Sequence, residues 1–124
     1  DLHCLRDLTR GGLAAAVIEI AEHARVGIEL AEPAIPVLPA VRGACELLGL
    51  DPLYVANEGR LVAFVPAAAA DRALRILQQH PAADQPAMIG TVTDKHPGSV
   101  ELRSAFGSGR LLDLLSGEQM PRIC

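Results

Sequence analysis

The sequence predicts an α+β domain, a mixed sheet of about four or more strands with helices packed on it. Helical and strand periodicities follow one another in the order helix, strand, helix, two strands, helix, two strands. The chain is 124 residues long, 50% hydrophobic and 21% charged, enough to bury roughly two-thirds of its unfolded surface around one core. Aromatic residues are confined to Tyr54, Phe64 and Phe106. The core must therefore be made of Leu, Val, Ile and Ala, which favours Ala-rich helices packed closely.

The first helix is read in "TRGGLAAAVIEIAEHARVG", where Leu13, Val17, Ile20, Ala21 and Ala24 recur on one face. Thr9 is taken as its N-cap and Gly27 as its stop. "IEL" is a short strand, and the prolines of "AEPAIPVLP" make a connector. "AVRGACELLGL" is a second helix with Val41, Ala44, Cys45 and Leu48 on its inner face, Cys45 serving as a small buried hydrophobe. "PLYVANEGRLVAFVP" reads as two β runs joined by a hairpin at Asn57-Glu58-Gly59, with Gly59 in the left-handed position. "AAADRALRILQQH" is a third helix with Ala70, Ala73, Leu74 and Leu77 inward. "AMIGTVT" and "SVELRSA" are strands separated by the turn "DKHPG", and "FGSGR" is a bend leading through "LLDLL" to a tail. Residues 1–113 are expected to form the domain, and residues 114–124 a flexible tail.

Composition excludes several classes of function. With a net charge of -4 and scattered arginines there is no basic stripe, so a nucleic-acid partner is not expected. No apolar run reaches membrane-spanning length, and no signal peptide is expected. Cys4, Cys45 and Cys124 are odd in number and far apart, which suits neither a disulfide framework nor a structural zinc site. A cytoplasmic location is expected. The chain starts at Asp1, without Met and inside an apparent element, and is read as a piece of a longer protein.

Three places carry candidate chemistry. In "RDLTRGGL" two adjacent glycines at a helix start let backbone N–H groups approach an anion, the helix dipole favours negative charge there, and Arg10 adds a full positive one. A capped helix with glycines placed for close packing accounts for the same residues. Glu58 in "ANEG" is a solvated carboxylate or a general base, and the second role needs partial burial. The ending "GEQMPRIC" places a thiol, Cys124, last in the chain. A nearby α-carboxylate disfavours its thiolate, Arg122 is the charged side chain at hand to offset this, and Pro121 stiffens the approach. His3 beside Cys4, the remaining histidines and the Gly107/Gly109 pair are assigned to packing, solvent and turns.

Taken together, "RDLTRGGLAAAVIEIAE", "VRGACELLGLDPLYVANEGRLVAFV" and "GEQMPRIC" resemble the C-terminal half of the HypE family of hydrogenase maturation proteins. That family lies in the superfamily of aminoimidazole ribonucleotide synthetase and selenophosphate synthetase. The resemblance covers essentially the whole chain. It implies the C-terminal domain fold of that superfamily and an ATP-dependent carbamoyl dehydratase activity in the full-length protein. HypF would load a carbamoyl group on Cys124. The full-length enzyme would then dehydrate it with ATP and Mg2+ to a thiocyanate, and the HypC–HypD complex would take the cyanide for a nickel–iron hydrogenase centre.

Residue by residue, the resemblance makes Cys124 the carrier thiol, supported by Pro121 and Arg122, and Glu58 the base. Asp7, Thr9, Arg10, Gly11 and Gly12 would lie near the ATP phosphates, with Leu8 where the family usually has Pro. No metal ligand is expected in this chain. The N-terminal domain that would bind most of the ATP and form a homodimer is not part of it, so the isolated domain is expected to be inactive. Two other roles fit the same sequence: a non-catalytic carrier and docking module, or another ATP-dependent enzyme of the superfamily.

Overall fold

The elements run β1 (Cys4–Leu8), α1 (Gly12–Ala24), β2 (Gly27–Ala31), α2 (Pro39–Leu48), β3 (Asn57–Phe64), α3 (Ala70–Gln79), β4 (Gly90–Thr93), β5 (Val100–Arg103) and β6 (Gly109–Leu111). The computed structural model describes residues 2–114. Short 3-10 turns at Glu32–Ala34, Pro52–Tyr54 and Ala67–Ala69 join some of them.

Helix α1 organises the core. Its Gly12, Leu13, Ala14, Ala16, Val17, Ile18 and Ala21 are buried, and it touches strands of both sheets as well as the Pro52–Tyr54 turn. Small residues at Ala14, Ala16 and Ala21 let neighbours approach closely, which a core poor in aromatics requires. The four-stranded sheet has the order β4-β2-β5-β6, with β2 and β5 parallel and the other pairs antiparallel. Ile28 pairs with Val100 and Leu30 with Leu102, and all four are buried. Strand alternation turns Glu29 and Glu101 the other way. There Arg103 lies 3.8 Å from Glu29 and 3.4 Å from Glu101.

Strands β1 and β3 form a separate antiparallel ribbon, running from Cys4 opposite Phe64 to Asp7 opposite Leu61. The register then breaks: Leu8 lies opposite Asn57, so residues 58–60 bulge out of the ladder. The α+β class and the mixed four-stranded sheet are as expected, but the strands fall into two sheets instead of one.

Several local expectations are corrected. Asn57-Glu58-Gly59 is not a hairpin tip: it opens β3, whose partner is the distant β1, and residues 52–54 are a 3-10 turn. Gly59 does take a positive φ, of 77°, which suits a bulge as well as a turn. Thr9 does not cap α1; the N-cap is Gly11, in the left-handed region, with no side-chain cap bond. Arg25, also left-handed, ends the helix, and Gly27 is the first residue of β2. There a side chain would collide with the carbonyl of Lys95, so the glycine allows close strand approach.

The "FGSGR" bend runs into the short strand β6. Of the inner face expected for α2, only Cys45 is buried, while Val41 and Leu48 are exposed. In α3 the expected residues Ala70, Ala73 and Leu74 are half-buried and Leu77 is exposed. No described helix is long and apolar enough to cross a membrane. The expected tail, with Pro121, Arg122 and Cys124, lies outside the described residues beyond Leu114.

Candidate functional site

The site forms where the ribbon meets the start of α1. Because Leu8 lies opposite Asn57, the loop that leaves β1 and the bulge that opens β3 emerge side by side. Asp7, Arg10, Asn57, Glu58 and Gly59 are exposed, while Thr9 and Gly11 are half-exposed. Two motifs far apart in sequence thus share one edge. The bulge also lets Glu58 and Gly59 project from the ladder without a cross-strand neighbour.

The loop is ordered by its own side chains. Thr9 Oγ1 donates to Asp7 Oδ2, and this bond, more than any other group, holds the Asp7 carboxyl below the ordinary aspartate range. Arg6 Nε, 4.0 Å from Asp7 Oδ1, adds to the effect. Arg6 also reaches across to Glu19 at 2.6 Å and so pins β1 to α1.

Gly11 and Gly12 both have positive φ, 67° and 65°, a conformation that side-chain-bearing residues adopt at a cost. A Cβ on Gly11 would strike the Ala15 side chain. One on Gly12 would lie 2.5 Å from the Val55 carbonyl oxygen and 2.6 Å from that of Leu53. Glycine is therefore needed here for backbone turn and close packing alone. What suits this edge to an anion is the exposed Arg10; the first turn of α1 has no side-chain cap, but its Gly12, Leu13 and Ala14 are buried. Among the described residues no three His, Cys, Asp or Glu side chains come together to hold a metal ion.

Two positioning groups escaped the sequence reading. Asp51 accepts from Leu53 N at 3.0 Å and so caps the 3-10 turn that packs on Gly12. Arg110 of β6 holds the other Asp51 oxygen at 3.1 Å. The Asp51-Pro52 pair was a legible signal, since Pro is favoured directly after a capping Asp. Arg60, the last residue of the bulge, donates to the Asp84 carbonyl at 2.8 Å and fixes that end of β3. No signal in the sequence pairs those two residues.

Comparison with known proteins bears on what this edge does. The family model described as AIR synthase related protein, C-terminal domain, matches residues 1–103. The chain belongs to this family. It is also 52% identical over 124 residues to the carbamoyl dehydratase HypE of Azotobacter vinelandii, covering 100% of this chain and 36% of that protein. The family's fold recurs in a crystal structure of the hydrogenase maturation protein HypE in complex with ATP. That likeness has a TM-score of 0.91 and 44% identity, and covers 100% of this chain and 38% of the other. A crystal structure of a HypE–HypF complex matches with a TM-score of 0.86 and 38% identity, over 90% of this chain and 36% of that one. The resemblance read from the motifs is met. The chain spans about a third of the length of the curated relatives it matches, 36% in the case of the Azotobacter vinelandii protein.

Proposed function

We propose that this chain is the C-terminal part of a carbamoyl dehydratase of the HypE type, acting in the cytoplasm in nickel–iron hydrogenase maturation. The observation that carries the reading is the shared edge of the Asp7–Gly12 loop and the bulge at residues 58–60. It supports a reading in which the Glu58 carboxylate and Arg10 serve one site, in a chain similar throughout to HypE.

Residues 1–113 are the folded unit and residues 114–124 a tail that carries the acceptor. Cys124 attacks the carbamoyl carbon of a carbamoyl-adenylate held by HypF; the C–S bond forms, AMP leaves, and the thiol proton goes to solvent. Pro121 and Arg122 orient the tail for that visit. In the second step the amide oxygen of the S-carboxamide takes the γ-phosphate of ATP. Glu58 accepts a nitrogen proton, the second is lost to solvent, and phosphate leaves as the C≡N bond forms. Arg10 balances phosphate charge, with Thr9, Gly11 and Gly12 shaping the loop and Asp7 tied to Thr9.

Mg2+ belongs with the nucleotide in the part of the protein outside this chain, which also supplies most ATP contacts and the homodimer interface. HypC–HypD receives the cyanide. Glu58 is exposed in this chain, so the cover a general base needs comes from that other part, and the chain alone is expected to be inactive.

Intact-mass analysis of the full-length protein with HypF, carbamoyl phosphate and ATP tests the scheme. The wild type should gain a carbamoyl group and then lose water. Cys124→Ala should gain nothing, and Glu58→Gln should stall at the carboxamide. Dehydration by Glu58→Gln at the wild-type rate would reduce this chain to a carrier and remove Glu58 from the chemistry.

A further inference from the structure

Strand β6 closes one edge of the four-stranded sheet and sets Arg110 opposite the buried Leu102. Directly opposed residues of an antiparallel pair share a face, so Arg110 rises from the core side of the sheet. There its Nη2 lies 3.1 Å from Asp51 Oδ2. The other oxygen of that carboxylate, Oδ1, accepts from the Leu53 N–H at 3.0 Å. One carboxylate thus caps the Pro52–Tyr54 turn and ties it to the sheet edge. Leu53 and Tyr54 are buried, and the carbonyls of Leu53 and Val55 lie where a side chain on Gly12 would have to go. The contacts run without a break from Arg110 through Asp51 and Leu53 to Gly12, at the start of α1.

The strength of the pair does not explain its place. The Arg110 side chain is 54% and that of Asp51 28% exposed, and such ion pairs add little to stability. Its use is geometric. A 3-10 turn this short has poor hydrogen-bond geometry of its own and leans on what caps it. Arg110 is a firm post: Leu112, two residues on, is buried and donates its N–H to the Val100 carbonyl at 2.9 Å. On the function proposed above, which this inference rests on, the chain beyond β6 leads to the acceptor Cys124, and the Gly11–Gly12 loop lies near the phosphate. A single side chain then joins the root of the carrier segment to the loop it must visit.

We infer that Arg110, acting through Asp51, is a positioning residue for the dehydration step. It holds the Pro52–Tyr54 turn against Gly12 and so keeps the Gly11–Gly12 loop in place for phosphate transfer. It touches neither ATP nor the carboxamide, and it has no part in loading Cys124.

Full-length Arg110→Met and Asp51→Asn test this. Met keeps the stem of Arg, and Asn keeps an oxygen for the Leu53 cap, while each breaks the ion pair. Loading of Cys124, followed by intact mass, should stay at the wild-type rate in both. Dehydration should fall about tenfold in kcat with KM for ATP little changed, since a small misplacement of reacting groups costs rate more than affinity. The double variant should be no slower than either single one, as expected of two residues acting as a unit, and Arg110→Lys should recover part of the rate. Arg103→Met, which removes the contacts to Glu29 and Glu101 on the other face of the same sheet, should change neither step. Apart from turnover, amide hydrogen exchange in peptides covering residues 51–55 should be about threefold or more faster in both variants, with the urea midpoint barely moved.

Unchanged exchange at residues 51–55 overturns the inference. So does equal slowing of loading and dehydration, which is a general loss of the fold. Wild-type kcat in Arg110→Met, beside a wild-type protein that converts the carboxamide, sinks the inference alone. A wild-type protein that loads Cys124 and never dehydrates it sinks the proposed function instead.

Discussion

Helices α1 and α3 share the spacing of an amphipathic helix and end in opposite circumstances. In α1, Ala14, Val17 and Ala21 are 0% exposed. In α3 no residue is buried, and Ile76 is 61% exposed. The sequences differ in what flanks the apolar stripe. Leu13, Ala14, Val17, Ile18 and Ala21 wrap well around α1, which lets it touch strands of both sheets. Asp71, Arg72, Arg75, Gln78 and Gln79 leave α3 a single narrow stripe. A repeat of apolar positions identifies a helix; the width of its apolar surface says how many neighbours it can have. The helix with neighbours on several sides is also the one whose first turn forms the candidate site.

The sharpest way to break this comparison is to make the same truncation in both helices. Ile18→Ala should cost about 2–5 kcal/mol, because a buried methylene cluster is lost and a cavity remains. Ile76→Ala, on the exposed flank of α3, should stay within about 0.5 kcal/mol. Urea unfolding followed by circular dichroism reads both, and equal losses would mean that α3 has a partner the fold does not show.

A smaller effect compares the start of α1 with the end of α2. Gly12 and Gly49 have nearly equal positive φ, 65° and 69°, and each should lose about 1–2 kcal/mol as Ala from the backbone alone. At Gly49 nothing lies within 4 Å of the added Cβ, whereas at Gly12 two carbonyl oxygens lie within 2.6 Å. Gly12→Ala should therefore lose distinctly more than Gly49→Ala in the same denaturation experiment. Matching losses would show that the Pro52–Tyr54 turn is not held against α1.

The smallest expected effect concerns the loop that feeds α1. The Asp7 carboxyl lies below its ordinary value of 3.8, chiefly through the Thr9 hydroxyl. A group whose folded value is lowered contributes stability that is full above the unfolded value and is lost as pH falls through the folded one. Thr9→Val should move the Asp7 titration, followed by carboxyl NMR shifts, up toward 3.8, and flatten the stability profile below that pH. An unchanged titration would assign the lowering to Arg6 instead.

Much of the fold was legible because its signals are local. The spacing around Val17, the prolines of residues 33–39 and the alternation of Val100 and Leu102 with Glu101 and Arg103 locate elements from their own neighbours. The bulge at residues 58–60 was not legible: Asn-Glu-Gly with a left-handed glycine suits a hairpin and a bulge equally, and only the distant β1 decides between them. Thr9 fell to the same difficulty. A hydroxyl before a helix reads as a cap, but here it is already bonded to Asp7 and the turn at Gly11 starts the helix. The candidate site was half legible. Its residue types stood out, while the Arg110–Asp51 and Arg60–Asp84 ties that hold its surroundings join residues distant in sequence.

By itself the sequence determined the α+β class, the existence of the three helices, the glycines at the start of α1 and the likeness to its family, since each depends on short-range periodicity or on contiguous motifs. Only the tertiary structure decided that the strands divide into two sheets, that α1 rather than α3 is the buried helix, and that Leu8 meets Asn57 so that the two motifs share an edge. Strand pairing and burial depend on which segments meet across the chain, and hydrogen-bonding edges carry no address that one strand's sequence can state alone.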